Sequence, residues 1–85
     1  MKYLILGGGG VFGVHTALNL LKKDLTEGVI CVGRNRKRSE VFNLGLDKDK
    51  RYKYKQIHIT FETDSLFNLI DEFKPNYVIN FAALA

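Results

Sequence analysis

Tyr3-Leu4-Ile5-Leu6-Gly7-Gly8-Gly9-Gly10-Val11-Phe12-Gly13 is the stretch that decides how this chain is read. Four apolar residues that stop at four glycines read as a buried strand running into a loop. From about Val11 to Lys23, the apolar positions Val14, Ala17, Leu18, Leu21 and Leu25 recur at spacings of three and four. They mark one face of a helix, finished by Lys22-Lys23-Asp24 and the break at Gly28. The loop therefore joins the end of a strand to the start of a helix. Bare glycines let an anion approach backbone N–H groups there, and the helix dipole favours negative charge. Gly8, Gly10 and Gly13 satisfy G-x-G-x-x-G, while Gly7, Gly10 and Gly13 satisfy G-x-x-G-x-x-G. Glycine runs also occur in plain turns, but a strand before and a helix after are the context that dinucleotide binding requires. Val14, not lysine, follows the last glycine, which excludes a P-loop.

The alternation continues outward from this loop. Val29-Ile30-Cys31-Val32 is a second buried-type strand, ending at Gly33. Ser39 to Leu44 fits a short helix with Ser39 as its cap and Gly45 as its stop. Lys48 to Lys55 reads as a charged loop or strand lead-in, and Gln56-Ile57-His58-Ile59-Thr60 as a third strand. Thr63 or Asp64 caps a helix with Leu66, Phe67, Leu69, Ile70 and Phe73 on its buried side, ended by Lys74-Pro75. Tyr77 to Phe81 is a fourth strand. Strands separated by helical crossovers predict an α/β fold, the first half of a doubly wound parallel sheet with strand order 3-2-1-4. Residues 1–85 form one domain on this reading, a truncated dinucleotide-binding unit.

Composition narrows the class. In 85 residues, 46% hydrophobic and 26% charged residues are the proportions of a packed domain, which excludes disorder. The single cysteine, Cys31, permits no internal disulfide and no multi-cysteine metal cage, so no metal site is expected. No apolar run nears the roughly 18 residues of a membrane helix, and Tyr3 to Leu6 is too short for a signal peptide. No membrane association and a cytoplasmic location are expected. The net charge of +4 suits an anionic ligand.

Tyr3 to Leu21, with Gly7, Gly10 and Gly13 and the Val11-Phe12 pair between glycines, resembles the N-terminus of extended short-chain dehydrogenase/reductases, the NAD-dependent epimerase/dehydratase family. Lys74-Pro75-Asn76-Tyr77-Val78-Ile79-Asn80-Phe81-Ala82-Ala83 resembles that family's fourth strand and its Ala-Ala turn. The resemblance implies nucleotide-sugar metabolism and a nicotinamide dinucleotide. It also implies that His58 and Ile59 stand where the family has Asp and an apolar residue touching the adenine; the simpler reading of His58 is a solvent-facing strand residue. Phe81, Ala82 and Ala83 then lie along the pyrophosphate and ribose, and His15 is structural.

In such folds an acidic residue about 20 positions past the glycine loop binds the adenosine ribose, whereas a nearby Arg accommodates a 2′-phosphate. Here the second strand ends in Gly33-Arg34-Asn35-Arg36, with no carboxylate. A guanidinium can grip a phosphate bidentately, so Arg34 and Asn35 lean the choice from NAD toward NADP. The alternative is that Arg34, Arg36, Lys37 and Arg38 form a solvated basic loop.

The family's catalytic pair is a Tyr with a Lys four residues later. Tyr3, Tyr52, Tyr54 and Tyr77 are followed at that spacing by Gly7, Gln56, His58 and Phe81. No catalytic residue is therefore assigned, and the chain alone is expected to be inactive: the first part of a longer enzyme, or a small cofactor-binding remnant. Val78 to Phe81 should form an exposed apolar strand edge that self-associates or meets a missing C-terminal half. The competing reading is a basic nucleic-acid or protein interaction module. Lys48, Lys50, Arg51, Lys53 and Lys55, interleaved with Tyr52 and Tyr54, would offer phosphate and stacking contacts. Asp47 and Asp49 dilute that cluster, and the net charge is modest for such a role.

Overall fold

A computed structural model describes residues 1–82. Four strands, β1 (Lys2–Leu6), β2 (Gly28–Gly33), β3 (Tyr52–Gln56) and β4 (Tyr77–Asn80), alternate with helices α1 (Val11–Leu21), α2 (Ser39–Asn43) and α3 (Thr63–Phe73). A 3-10 turn at Leu46–Lys48 follows α2. The strands make one parallel sheet in the order β3-β2-β1-β4, as the alternation predicts. Leu4 lies opposite Ile30 on one side and Val78 on the other, so β1 is central.

Because side chains alternate along a strand, the central strands feed two cores. Ile5, Val29 and Cys31 face α1 and α2, packing with Val14, Ala17, Leu21, Val41, Leu46 and Tyr52. Leu4, Ile30 and Val32 face the other way, with Ile57 and the half-buried Leu66, Leu69, Ile70 and Phe73 of α3. Leu4 and Ile5 are fully buried, on opposite faces, each contributing about 1.5–3 kcal/mol by leaving water. The two continuous apolar runs are thus explained by a sheet covered on both faces.

Four local expectations are corrected. The third strand is Tyr52–Gln56 and not Gln56 to Thr60. Tyr52 and Tyr54 point toward the α1 core, while Lys53 and Lys55 stand exposed on the face that α3 leaves uncovered, as an edge strand tolerates. Ile57 still donates to the Gly33 carbonyl at 2.9 Å, after which the chain turns at His58. The first helix stops at Leu21, and Leu25 is 80% exposed in the following turn. Phe67 also faces solvent, since it lies about 100° around the helix from Leu66. Two helix caps differ from those expected: Arg38 and not Ser39 precedes α2, and Glu62 rather than Thr63 or Asp64 precedes α3, neither with a side-chain cap bond.

The two predicted stops are present. Gly45 has φ +75°, and Lys74, at φ +52° before Pro75, donates its N–H to the Ile70 carbonyl at 2.8 Å. β4 is an edge among the described residues, pairing only with β1, and Tyr77 and Val78 are each about half exposed.

Candidate functional site

The glycine loop is compressed by its own surroundings. Gly7 has φ +75°, and a Cβ there would stand 2.7 Å from the Ala82 amide nitrogen. The main chain leaving β4 therefore passes directly against the loop. Gly13 begins the buried side of α1, and a Cβ on it would reach 2.7 Å from the Gly8 carbonyl carbon. Gly10 differs. It is the N-cap of α1 in extended backbone, and a Cβ there would meet only the Gly7 oxygen, at 3.6 Å. Its bareness serves no internal packing and leaves open space over the helix start. No side chain caps that helix, and no acidic residue occupies its first turn. Its first amides therefore have no acceptor among the described residues and suit an outside one.

Beside the loop lies a cleft of two adjoining cavities at the carboxyl ends of the strands, the usual ligand position in open parallel sheets. The larger, about 260 Å³, is walled by Val32, Ile57, Ile59, Phe81 and Ala82, with His58 and Thr60 as polar members. The smaller, about 200 Å³, is lined by Gly9, Gly10, Asn35, Arg36, Arg38 and Tyr54. Gly7, Gly33 and Arg34 belong to both.

Of the residues singled out in the sequence, Gly7, Arg34, His58, Ile59, Phe81 and Ala82 meet in the larger cavity, and Gly10 and Asn35 in the smaller. Val11, Phe12 and Gly13 line neither. Val11 and Phe12 are exposed at the helix start, Phe12 beside Phe81 with ring centroids 6.5 Å apart. Ala83 lies outside the described residues.

Tyr54 lines the smaller cavity and is a residue that sequence reasoning did not assign to the site. Its hydroxyl donates to the Asn35 carbonyl, and a Cβ on Gly9 would lie 2.7 Å from its oxygen. Gln56 Nε2 also donates to the Arg34 carbonyl at 3.2 Å. β3 therefore braces the arginine loop from beneath. Recognising the Tyr-x-Tyr alternation as a strand would have found Tyr54. Reading it as a loop hid the residue.

Charge is positive in this cleft. Arg34 and Arg36 make no ion pair among the described residues, whereas Arg38 is held by Glu40 at 3.2 Å. That guanidinium keeps the Glu40 carboxyl below the usual carboxylate range. Burial holds the Tyr54 phenol above the ordinary tyrosine range, so it stays a proton donor. Cys31, beneath Gly8, has its thiol pushed up to about 12 by burial and is not a nucleophile.

The basic segment around β3 is not arranged for stacking bases. Tyr52 is buried and Tyr54 is engaged with Asn35. Arg51 is folded inward onto Asp49, at 2.8 Å, and onto the Leu21 and Thr26 carbonyls.

Several solved structures share this fold. UDP-glucuronic acid 4-epimerase from Bacillus cereus, in complex with NAD, is 23% identical with TM-score 0.79, all of this chain covering 28% of that one. The Bordetella bronchiseptica enzyme WbmG, in complex with NAD, is 23% identical with TM-score 0.80, all of this chain covering 26%. UDP-glucose-4-epimerase from Stenotrophomonas maltophila, with bound NAD and formylated UDP-arabinopyranose, is 28% identical with TM-score 0.76, all of this chain covering 25%. The chain thus spans about a quarter of the length of these structures. No curated protein matches it. No helix among the described residues is long and apolar enough to cross a membrane. The model of the NAD dependent epimerase/dehydratase family matches residues 3–85, nearly the whole sequence, and the chain belongs to that family.

Proposed function

We propose that the chain is the first half of a dinucleotide-binding domain and holds a nicotinamide adenine dinucleotide along the cleft. The observation that carries this reading is the uncapped start of α1, bare at Gly10, opening onto two cavities that share Gly7, Gly33 and Arg34. The pyrophosphate belongs over Gly7, Gly10, Val11, Phe12 and Gly13, where free amides and the helix dipole meet it. The adenosine belongs beside Arg34, Asn35, His58 and Ile59. Phe81 and Ala82 run under the pyrophosphate and its ribose. The larger cavity is smaller than the roughly 300–1,000 Å³ that a whole drug-sized ligand fills, which suits one part of a dinucleotide.

The preferred form is NADP. Arg34 and Arg36 face the smaller cavity, no carboxylate lines it, and an acidic group is what would repel a 2′-phosphate. The bound NAD in the related structures supports the same class of coenzyme.

The protein acts, on this reading, in nucleotide-sugar epimerase or dehydratase chemistry, with the hydride carried by the dinucleotide when it is bound. These 85 residues contain no Tyr-x-x-x-Lys pair. Their share of the work is to bind and orient the coenzyme, with the acid–base pair and the sugar pocket supplied from elsewhere. The free edge of β4 is the place where additional strand, from a second copy or from the other half of such a domain, continues the sheet.

Titration with NADH and NADPH, followed by coenzyme fluorescence, tests the reading. Saturable binding of both, tighter for NADPH, is expected. A chain that folds yet binds neither coenzyme overturns it.

A further inference from the structure

The smaller cavity is rich in hydrogen-bond donors and short of acceptors. Arg34, Arg36 and Arg38 line it, and a guanidinium only donates. No carboxylate is among its lining residues. The main-chain carbonyls of its wall are largely committed. Gly7 accepts from the Gly10 N–H at 3.2 Å, Gly10 from Val14 at 3.0 Å, Gly33 from Ile57 at 2.9 Å and Arg38 from Val41 at 3.1 Å. The Arg34 and Asn35 carbonyls accept from Gln56 Nε2 and from the Tyr54 hydroxyl.

The phenol oxygen of Tyr54 is different. It stands between the glycine loop and the end of β2: a Cβ on Gly9 would lie 2.7 Å from it, and one on Gly33 would collide with it. Gly9, Gly33 and its partner Asn35 all line the smaller cavity, as Tyr54 itself does, so the oxygen is set in that cavity's wall. Burial keeps the phenol protonated, and a phenol that has given its one proton to a carbonyl still has lone pairs with which to accept. The exposed side-chain amide of Asn35 would have to be ordered first. Tyr54 is already fixed at both ends, by its strand and by the bond to Asn35, so little rotamer freedom is lost on binding.

We infer that Tyr54 Oη accepts a hydrogen bond from the 3′-hydroxyl of the adenosine ribose, a task for which the end of β2 has no carboxylate. This rests on the dinucleotide reading above, which sets that ribose between the glycine loop and the arginine loop. The 2′ position is left to Arg34, so the same contact serves NADH and NADPH. Tyr54 is then a binding residue as well as the tether of the loop. The two roles separate experimentally, because a tether acts on every ligand alike and an acceptor acts only on a ligand that carries the hydroxyl.

The test is a cycle between one hydroxyl on the protein and one on the ligand, read by coenzyme fluorescence. NADH and its counterpart built on 3′-deoxyadenosine are titrated into the parent chain and into Tyr54→Phe. The parent should bind the 3′-deoxy form about three- to tenfold more weakly, the worth of one neutral hydrogen bond. Tyr54→Phe should bind the two forms within about twofold of each other, because the partner of the hydroxyl is gone. Far-ultraviolet circular dichroism checks that the variant folds, and the comparison on the parent stands without it. A parent that binds both forms equally overturns the inference and leaves the dinucleotide reading intact. So does a Tyr54→Phe chain that keeps the parent's ratio while binding both forms more weakly, which is the signature of a tether alone. Binding of neither form by the parent overturns the dinucleotide reading and this inference with it.

Discussion

Tyr54 donates its hydroxyl proton to the carbonyl oxygen of Asn35, tying the third strand to the arginine loop that follows the second. The bond crosses 19 residues of sequence and holds the segment that carries Arg34 over the cleft. Tyr54→Phe removes it without changing the ring. We expect a loss of about 0.5–1.5 kcal/mol in urea denaturation, the net worth of one hydrogen bond. Coenzyme affinity should fall as well, because the loop loses a tether. Unchanged stability and affinity would show that the tether is idle.

The glycines of the loop should separate into two classes. Gly7→Ala places a side chain at φ +75° and against the Ala82 main chain, and should cost about 1–3 kcal/mol or more. Gly10→Ala meets only an ordinary contact and should cost less than about 1 kcal/mol. Yet Gly10→Ala should weaken coenzyme binding about tenfold or more, by filling the space over the first amides. Thermal melts and fluorescence titration, run together on both variants, distinguish packing from ligand clearance.

Arg34→Gln should act on one coenzyme form. A charge-assisted bond to phosphate contributes about 1.5–3 kcal/mol, so NADPH should bind about ten to a hundred times more weakly while NADH changes little. The NADPH preference of the parent chain should also shrink as salt rises, since Arg34 is open to solvent. Equal losses for both forms would remove Arg34 from contact with a 2′-phosphate.

Alkaline pH should destabilise the fold through Cys31. Its thiol is raised from 9.0 to about 12 in the folded chain, with burial as the main cause. Above about pH 9 the unfolded state releases this proton and the folded state keeps it, so stability falls as pH rises toward 12. The slope is about 1.4 kcal/mol per pH unit from this one group. Tyr52, also raised by burial, steepens the fall above pH 10. Cys31→Ala should flatten the profile between pH 9 and 10 in urea titrations. The native thiol should also resist iodoacetamide at pH 8 until the chain unfolds.

The edge of β4 should govern association. Sedimentation at micromolar concentration is expected to reveal a dimer or larger species. Val78→Lys, at a half-exposed position, should shift it toward monomer by placing a charge on the edge. A parent chain that stays monomeric across that range would rule out β4 as a self-pairing edge.

The strand order, the two-sided core and the glycine turn were legible because each rests on local chemistry. Tyr3 to Leu6 and Val29 to Val32 are apolar throughout, as only strands covered on both faces can be. Gly7 to Gly13 lie between a strand and a helix in immediate succession. The third strand was not legible, because an edge strand needs apolar groups on one face only. Tyr52 and Tyr54 supply that face while Lys53 and Lys55 disguise it, and the Ile57-x-Ile59 alternation nearby imitates a strand although it lines a cavity.

What the amino-acid order determined by itself was the pattern of elements and the bare loop, since periodicity and glycine act over a few residues. Only the tertiary structure decided that Arg34, His58 and Phe81 border one cavity, and that Tyr54 props the loop beside it. Parallel strands bring their carboxyl ends together across long crossovers. Residues more than 20 positions apart become neighbours there through sheet register, which no short window of sequence contains.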